Sequence, residues 1–415
     1  MKVVFVSNYL NHHQIPFCNA LSKQKDIDLT FIQMEMMERE RVSMGWAIDI
    51  KDYDYARGYY DDPVDCQKLI DNSDIVIWGG VEDENYIKPR LNSGKITLRY
   101  SERIYKEGQW KFISPRGLIK KYKDHVKYRK SKVYLMCAGG YVASDFNLIH
   151  AYPGKMFNWG YFPKIDTYNI DSLIDSKGYS DDIYKNNDEH AESVEEESKS
   201  KKLELMWSGR MINWKHPDYA VEAARLLMAH NIDFHMTIIG EGPLRERLEA
   251  TAEAYGVADK ITFMGFRTPE KVREYMQQAD IYMLTSDQKE GWGAVLNEAM
   301  NCGCAVVCGS GSGSVVSMAL HEKNAMVYRD RDIGEFLKYI GELAEDKEKR
   351  AKLGKEAYKT VKEVWNPEVA AERFRDFANE LLLGRIKEYE KGPLSRAEII
   401  SPIRGYRYTR RWKNL

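Results

Sequence analysis

The chain has 415 residues, 43% hydrophobic and 30% charged, the balance of a globular protein of two or three domains and not of a disordered chain. Its 62 Lys and Arg nearly cancel 63 Asp and Glu, for a formal net charge of -1, which excludes a global nucleic-acid binder but leaves local patches open. No apolar run approaches the roughly 20 residues of a membrane span, and MKVVFVSNYL is too short for a secretion signal, so cytoplasmic residence is expected.

From the N-terminus, short apolar runs alternate with helical periodicity, the pattern of an α/β fold with parallel sheets. Strands are predicted at Val3–Val6, Leu29–Ile32, Ile75–Trp78, Ile96–Tyr100, Val133–Met136 and Met156–Trp159, with helices across Gln14–Lys25, Glu82–Asn92 and Tyr141–His150. Within this half, Lys111–Lys132 holds nine Lys or Arg against Asp124 alone, and Leu118, Ile119, Tyr122 and Val126 fall at helical spacing. Two readings stand for that segment: a basic amphipathic helix suited to an anionic membrane surface, or an ordinary helix packing its stripe on the sheet.

Asp171–Lys202 is rich in Ser, Asp, Glu and Lys, with acids crowded between Asp188 and Glu197, and reads as a solvated insertion. Beyond it, strands are predicted at Leu203–Trp207, His235–Ile239, Lys260–Met264, Ile281–Leu284, Ala305–Cys308 and Ala325–Tyr328. Helices are predicted at Pro217–His230, Leu244–Tyr255, Pro269–Gln278 (capped by Thr268) and Ala294–Asn301. After Asp346 two more helical segments are interrupted at Asn366–Pro367, and a basic tail from Arg404 to Lys413 follows. The expected division is 1–165, a linker at 166–202, and 203–367, with about 368–415 completing the first domain.

Three clusters in the second half point to chemistry. After the Leu203 strand, Gly209 permits close backbone approach, while Arg210 and Lys215 supply a two-pronged donor and a mobile point charge, which read either as a clamp for a diphosphate or, taken alone, as two solvated cations of a surface loop. Gly240-Glu241-Gly242-Pro243 follows the next strand and suits a tight turn or amides facing an anion. Glu290-Gly291-Trp292-Gly293-Ala294-Val295 leads into a helix carrying Glu298. Two carboxylates eight apart, one in the loop and one in the helix, can grip hydroxyls at opposite ends of a ligand whose phosphates meet the helix start.

Six cysteines (18, 66, 137, 302, 304 and 308) are scattered, as in a reduced protein. Cys302, Cys304 and Cys308 flank Ala305–Val307, and the absence of a nearby His or second Cys pair favours buried thiols over a metal site.

In order and spacing, Gly209-Arg210-x4-Lys215, Gly240-x-Gly242-Pro243, Phe263-x-Gly265-Phe266 and Glu290-x7-Glu298 resemble the second domain of family 4 glycosyltransferases of the GT-B fold. The resemblance covers Leu203 to Tyr328. It implies two Rossmann-like domains facing a cleft, a nucleotide-sugar donor held mainly by the second, retention of anomeric configuration, and neither cofactor nor essential metal. It further implies that Arg210 and Lys215 hold the diphosphate, Glu290 the hydroxyls of the transferred sugar and Glu298 those of the ribose, with backbone contacts from Gly291 to Ala294. The acceptor implied is a saccharide or lipid-linked saccharide in surface-glycan assembly, with a UDP-sugar favoured as donor and docking at the inner face of the plasma membrane left open.

The first half departs from that family. Ser7-Asn8-Tyr9-Leu10-Asn11-His12-His13 stands where many members carry a glycine-rich loop, so Asn8, His12 and His13 are cleft candidates, with an exposed loop histidine as the rival reading. Where many carry a histidine, this chain has Tyr100-Ser101-Glu102-Arg103, making Glu102 and Arg103 candidates for contact with acceptor or sugar, or for a plain strand-end ion pair. A nicotinamide enzyme is disfavoured, since Val6-Ser7-Asn8 lacks the Gly-x-Gly-x-x-Gly pattern and Gly309–Gly313 has the wrong spacing and place. A sugar-nucleotide epimerase of the same fold and a non-catalytic nucleotide-sugar-binding protein remain as alternatives.

Overall fold

The computed structural model describes residues 1–37, 48–177 and 202–414. The acidic cluster from Asp188 to Glu197 lies outside the described residues. Two sheets, parallel throughout, carry the chain. The first comprises β1 (Lys2–Ser7), β2 (Asp28–Gln33), β3 (Ala56–Gly58), β4 (Ile75–Trp78), β5 (Thr97–Ser101), β6 (Val133–Ala138) and β7 (Met156–Trp159), in the order β3-β2-β1-β4-β5-β6-β7. The second comprises β8 (Leu203–Ser208), β9 (Phe234–Ile239), β10 (Ile261–Gly265), β11 (Ile281–Leu284), β12 (Ala305–Gly309) and β13 (Met326–Tyr328), in the order β10-β9-β8-β11-β12-β13. The strand order of each sheet therefore reverses beside its first strand, at β1/β4 and at β8/β11. In such sheets ligands bind outside the carboxyl ends of the strands at that reversal. Helices cover both faces, which is why a strand such as Ile75-Val76-Ile77-Trp78 is apolar and buried at every position.

All twelve predicted strands are present, with ends shifted by at most two residues. The three-residue β3 is too short to show periodicity. The predicted Glu82–Asn92 helix breaks at Ile87 into a 3₁₀ turn, Glu84–Tyr86, and a helix, Lys88–Asn92, because Pro89 lacks the N–H that would continue the turn. Helices at Pro63–Asn72, Gly313–Met318 and Ile333–Glu345 were not expected. The segment read as a solvated linker from Asp171 is helical at Ile170–Ser176, where Asn169 caps the first turn, Ile174 is buried, and Ile170, Leu173 and Ile174 close on Gly303.

Past the Lys347–Glu363 helix, Asn366 accepts from Val369 N–H at 2.8 Å and opens the Pro367–Leu382 helix. That helix packs against Ile15–Ser22 of the first half, with Phe374 edge-on to Phe17 at 6.0 Å. Residues 394–397 then run antiparallel beside β7, through Leu394 N–H to Asn158 O at 2.7 Å and Ala397 N–H to Met156 O at 3.1 Å, shielding an edge strand. The Pro402–Tyr408 helix returns to the second half, where Trp412 Nε1 donates to His321 O at 2.8 Å. The largest buried cluster spans both halves: Trp292 lies 6.4 Å from the Tyr161 ring and 5.5 Å from Trp365.

Candidate functional site

The site grows from the loops at the two reversal points. After β8, Gly209 to Lys215 ends in a 3₁₀ turn, Asn213–Lys215. The loop is fixed from behind: Asp287 N–H donates to Trp214 O at 2.9 Å and Thr285 Oγ1 to Lys215 O at 2.6 Å. Burial alone would raise the Asp287 carboxyl, but hydrogen bonds from His216, Lys289 N–H and Arg331 outweigh it and hold Asp287 below the usual carboxylate range. Lys215 reaches across to Glu290, Nζ to Oε2 2.5 Å, with both side chains mostly buried. Its ammonium also lies 4.8 Å from the Trp214 ring centre, and the exposed Arg210 guanidinium 6.0 Å from the same ring. The two expected diphosphate-binding cations thus converge on one indole, next to the loop glutamate.

The Gly240 amide is not aimed at an anion, since its N–H donates to Gly265 O at 2.9 Å. Gly240 has φ +135°, and the Gly209 carbonyl fills the place of its missing Cβ; a Cβ on Gly242 would meet Met211 O at 2.5 Å. Met211 N–H donates to Glu241 O at 2.8 Å, and Leu244 N–H to Met211 O at 3.1 Å. Their glycines let this loop clasp the Gly209–Met211 backbone, so they frame Arg210.

After β11, Glu290 to Ala294 leads into the Val295–Asn301 helix. Among the described residues, the backbone N–H groups of residues 291–295 donate to no protein acceptor. Gly293 holds φ +86°. The Trp292 side chain does not face this loop: it is fully buried, its indole N–H bound to Asn297 Oδ1 at 2.9 Å, so only its backbone can meet a ligand. Ala294 is buried and Val295 half-buried. Glu298 is also buried, and burial pushes its carboxyl up to about 7 against the opposing pull of Arg273.

The first half contributes one candidate carboxylate and two histidines. Glu102 lies so close to Gly291 that its carboxyl group fills the space a Cβ there would need. Tyr161 donates to Glu102 Oε1 and Lys106 to Oε2, each at 2.5 Å. His13 stacks on Tyr161 with centroids 5.5 Å apart and planes 7° apart; burial, then its neighbour His12, depresses its pKa. Both histidines are half-buried, so the reading of an exposed loop histidine is set aside. Asn8 is half-buried and accepts from Ser7 Oγ at 3.2 Å. Arg103 is buried in an ion pair with Asp145 at 3.3 Å, bonded to Tyr105 O at 3.2 Å, stacked 5.3 Å from the Tyr141 ring, and reaches across the junction to donate to Gln288 O at 3.5 Å, so it ties the two halves together behind the Glu290 loop. Adjacent in sequence, Glu102 and Arg103 point to different tasks.

Two features escaped sequence reasoning. Gly309–Gly313 serves the contact between halves: Gly140 N–H donates to Gly313 O at 3.0 Å, and a Cβ on Gly139 would lie 3.2 Å from Gly313 Cα. Arg273, beside Glu298, gave no signal beyond one more cation on a polar helix. Cys302, Cys304 and Cys308 are buried free thiols within the core.

Residues 188–360 match the family described as Glycosyl transferases group 1. The chain is 34% identical over 110 residues to the putative colanic acid biosynthesis glycosyltransferase WcaL of Salmonella typhimurium, covering 25% of this chain and 27% of that protein. It is 27% identical over 173 residues to WcaL of Escherichia coli, covering 40% and 42%. The chain thus spans under half the length of these relatives. Among solved structures, HepE of Anabaena in complex with UDP superposes with a TM-score of 0.64 at 12% identity, over 91% of this chain and 99% of that one; HepE is also solved with UDP and glucose, and with UDP-glucose. Two Rossmann-like halves with their strand ends turned to a shared junction, and this superposition over nearly the whole chain, define the GT-B fold. Over residues 188–360 the chain is thus similar to glycosyl transferases group 1.

Proposed function

We propose that the protein is a retaining, metal-independent glycosyltransferase of family 4 type. It moves a sugar from a nucleotide-sugar donor, a UDP-sugar by preference, to a saccharide or lipid-linked saccharide acceptor in the cytoplasm, during assembly of a surface polysaccharide. The observation that carries this reading is the Lys215–Glu290 pair at 2.5 Å at the β8/β11 reversal, with Glu298 buried eight residues on. Support comes also from the group 1 match over this half and from the exopolysaccharide naming of its relatives.

In this reading the donor's diphosphate lies against Arg210, Lys215 and the free amides of 291–295. Glu290 accepts from hydroxyls of the transferred sugar, and Glu298 from those of the ribose. As the bond to the anomeric carbon breaks, negative charge grows on the diphosphate, where Arg210 and Lys215 neutralise it; loss of one such contact typically costs about 3 kcal/mol, or 100-fold or more in rate. The acceptor hydroxyl attacks from the face the diphosphate leaves, which retains configuration. Glu290 is engaged by Lys215, as suits an anchor for hydroxyls rather than a free nucleophile of the hydrolase kind.

The segment from 109 to 128 supports docking on an anionic membrane. Its helix, Pro115–Asp124, buries no residue, and Trp110, Ile113, Ile119 and Tyr122 are each more than half exposed among the lysines. That favours a surface role over packing on the sheet. Among the described residues no helix is long and apolar enough to cross a membrane. Co-sedimentation with vesicles containing anionic lipid, reduced by joint Trp110→Ser, Ile119→Ser and Tyr122→Ser, is the expected result; equal sedimentation with neutral vesicles contradicts it.

Titration with UDP, GDP and ADP tests the core reading: one nucleoside diphosphate binds, and binding falls at least tenfold in Lys215→Ala. Absence of binding by all three overturns it.

A further inference from the structure

Glu298 sits in a pocket built by three elements. From the Pro269–Gln278 helix, Arg273 brings Nη1 to 3.9 Å from Glu298 Oε1, and Glu270 lies on the same helix one turn earlier. From β11 comes the buried Tyr282, and from the carboxylate's own helix end, Cys302. Arg273 is therefore the cation facing this carboxylate among the charged groups packed around it; the others are acids or neutral. Its side chain is only 11% exposed. It is spread over three acids at once: Glu298, Glu270 at 3.5 Å and Asp166 at 3.9 Å. Asp166 is itself locked to the Glu298 helix, since Asn301 donates to its carbonyl and accepts from its N–H, both at 2.9 Å. A mostly buried guanidinium divided among several carboxylates at long range is poor as a structural clamp. It is well placed to set the charge of the one that faces the ligand.

We propose that Arg273 is a positioning residue for nucleoside diphosphate binding, which favours the ionised form of Glu298 and orients it toward the ribose hydroxyls. The inference rests on the donor-binding reading above. A carboxylate accepts hydrogen bonds from two hydroxyls, whereas its protonated form must donate one itself, so the ionised state is the binding-competent one. Burial opposes that state and places the carboxyl near 7 even with Arg273 present. Removing the cation pushes it higher still. The signs follow: affinity falls as pH drops through the Glu298 midpoint, and that midpoint moves to higher pH when Arg273 is neutralised.

The test is calorimetric titration of the full chain with UDP, GDP and ADP at pH 6 to 9, continued with whichever binds most tightly. Arg273→Met is expected to weaken binding about tenfold at pH 7 and less than about twofold at pH 9, and Arg273→Lys to restore the wild-type profile. Glu298→Gln gives the profile due to the nucleotide's own ionisation, against which the others are compared. Should Arg273→Met not fold, Arg273→Gln carries the same comparison. A fold-loss independent of pH, or no loss at all, overturns the proposal. Failure of the wild-type protein to bind any of the three nucleotides overturns the donor-binding reading instead.

Discussion

Two neighbouring residues, Glu102 and Arg103, show how little sequence position says about task. Arg103 is sealed with Asp145, so Arg103→Ala is expected to destabilise the fold by about 3–5 kcal/mol in chemical denaturation, the cost of leaving a buried carboxylate unpaired. A variant of unchanged stability that loses only acceptor affinity contradicts that. Glu102 leans on Gly291 across the junction between halves. Gly291→Ala is therefore expected to displace the carboxylate and lower turnover with stability changed by less than about 1 kcal/mol, read by pairing kinetic assays with thermal melts. The types and spacing of Arg210, Lys215, Glu290 and Glu298 were legible in sequence, since glycine-flanked loops after apolar strands leave few other uses for them. Arg273 was not legible, because its meaning comes from a helix folding over a carboxylate 25 residues further on. Nor was the burial of Trp292, whose loop position hides a core indole.

At the level of elements, strands were easier to read than helices. Strands buried on both faces advertise themselves as apolar runs, as Ile281–Leu284 does. The Gly313–Met318 helix was hidden by the glycines and serines at and before its start, where Gly311 packs on the Asp287–Gln288 backbone and Gly313 on Gly139, close approaches that helix propensity does not signal. Gly240 is a similar case. Gly240→Ala puts a Cβ onto the Gly209 carbonyl at a φ of +135° that L-residues rarely adopt, and is expected to destabilise the protein by at least about 2 kcal/mol and weaken nucleotide binding through Arg210. Unchanged melting and affinity contradict the view that one loop frames the other. Thr268 capping, expected from sequence, is observed: its side chain accepts from Lys271 N–H.

At the scale of the molecule, the chain passes between its two sheets more than once, and the last passage is the tail. Ile400 packs with Tyr141 of the first half and Val316 of the second, and Tyr141 donates to Ser310 O at the same place. Truncation after Glu398 is expected to speed amide exchange at residues 139–141 and 310–313 while leaving β1 and β8 protected. The net charge of -1 likewise averages over unlike surfaces, the exposed basic segment from 111 to 132 among them. The claim on which the account turns is that donor chemistry occurs at the β8/β11 reversal. Nucleoside diphosphate release from a panel of nucleotide sugars, measured for the wild type, Glu290→Gln and Lys215→Ala, tests it most directly. The account predicts release from one donor, reduced 100-fold or more by either substitution; release from none, or at undiminished rate in both variants, contradicts it.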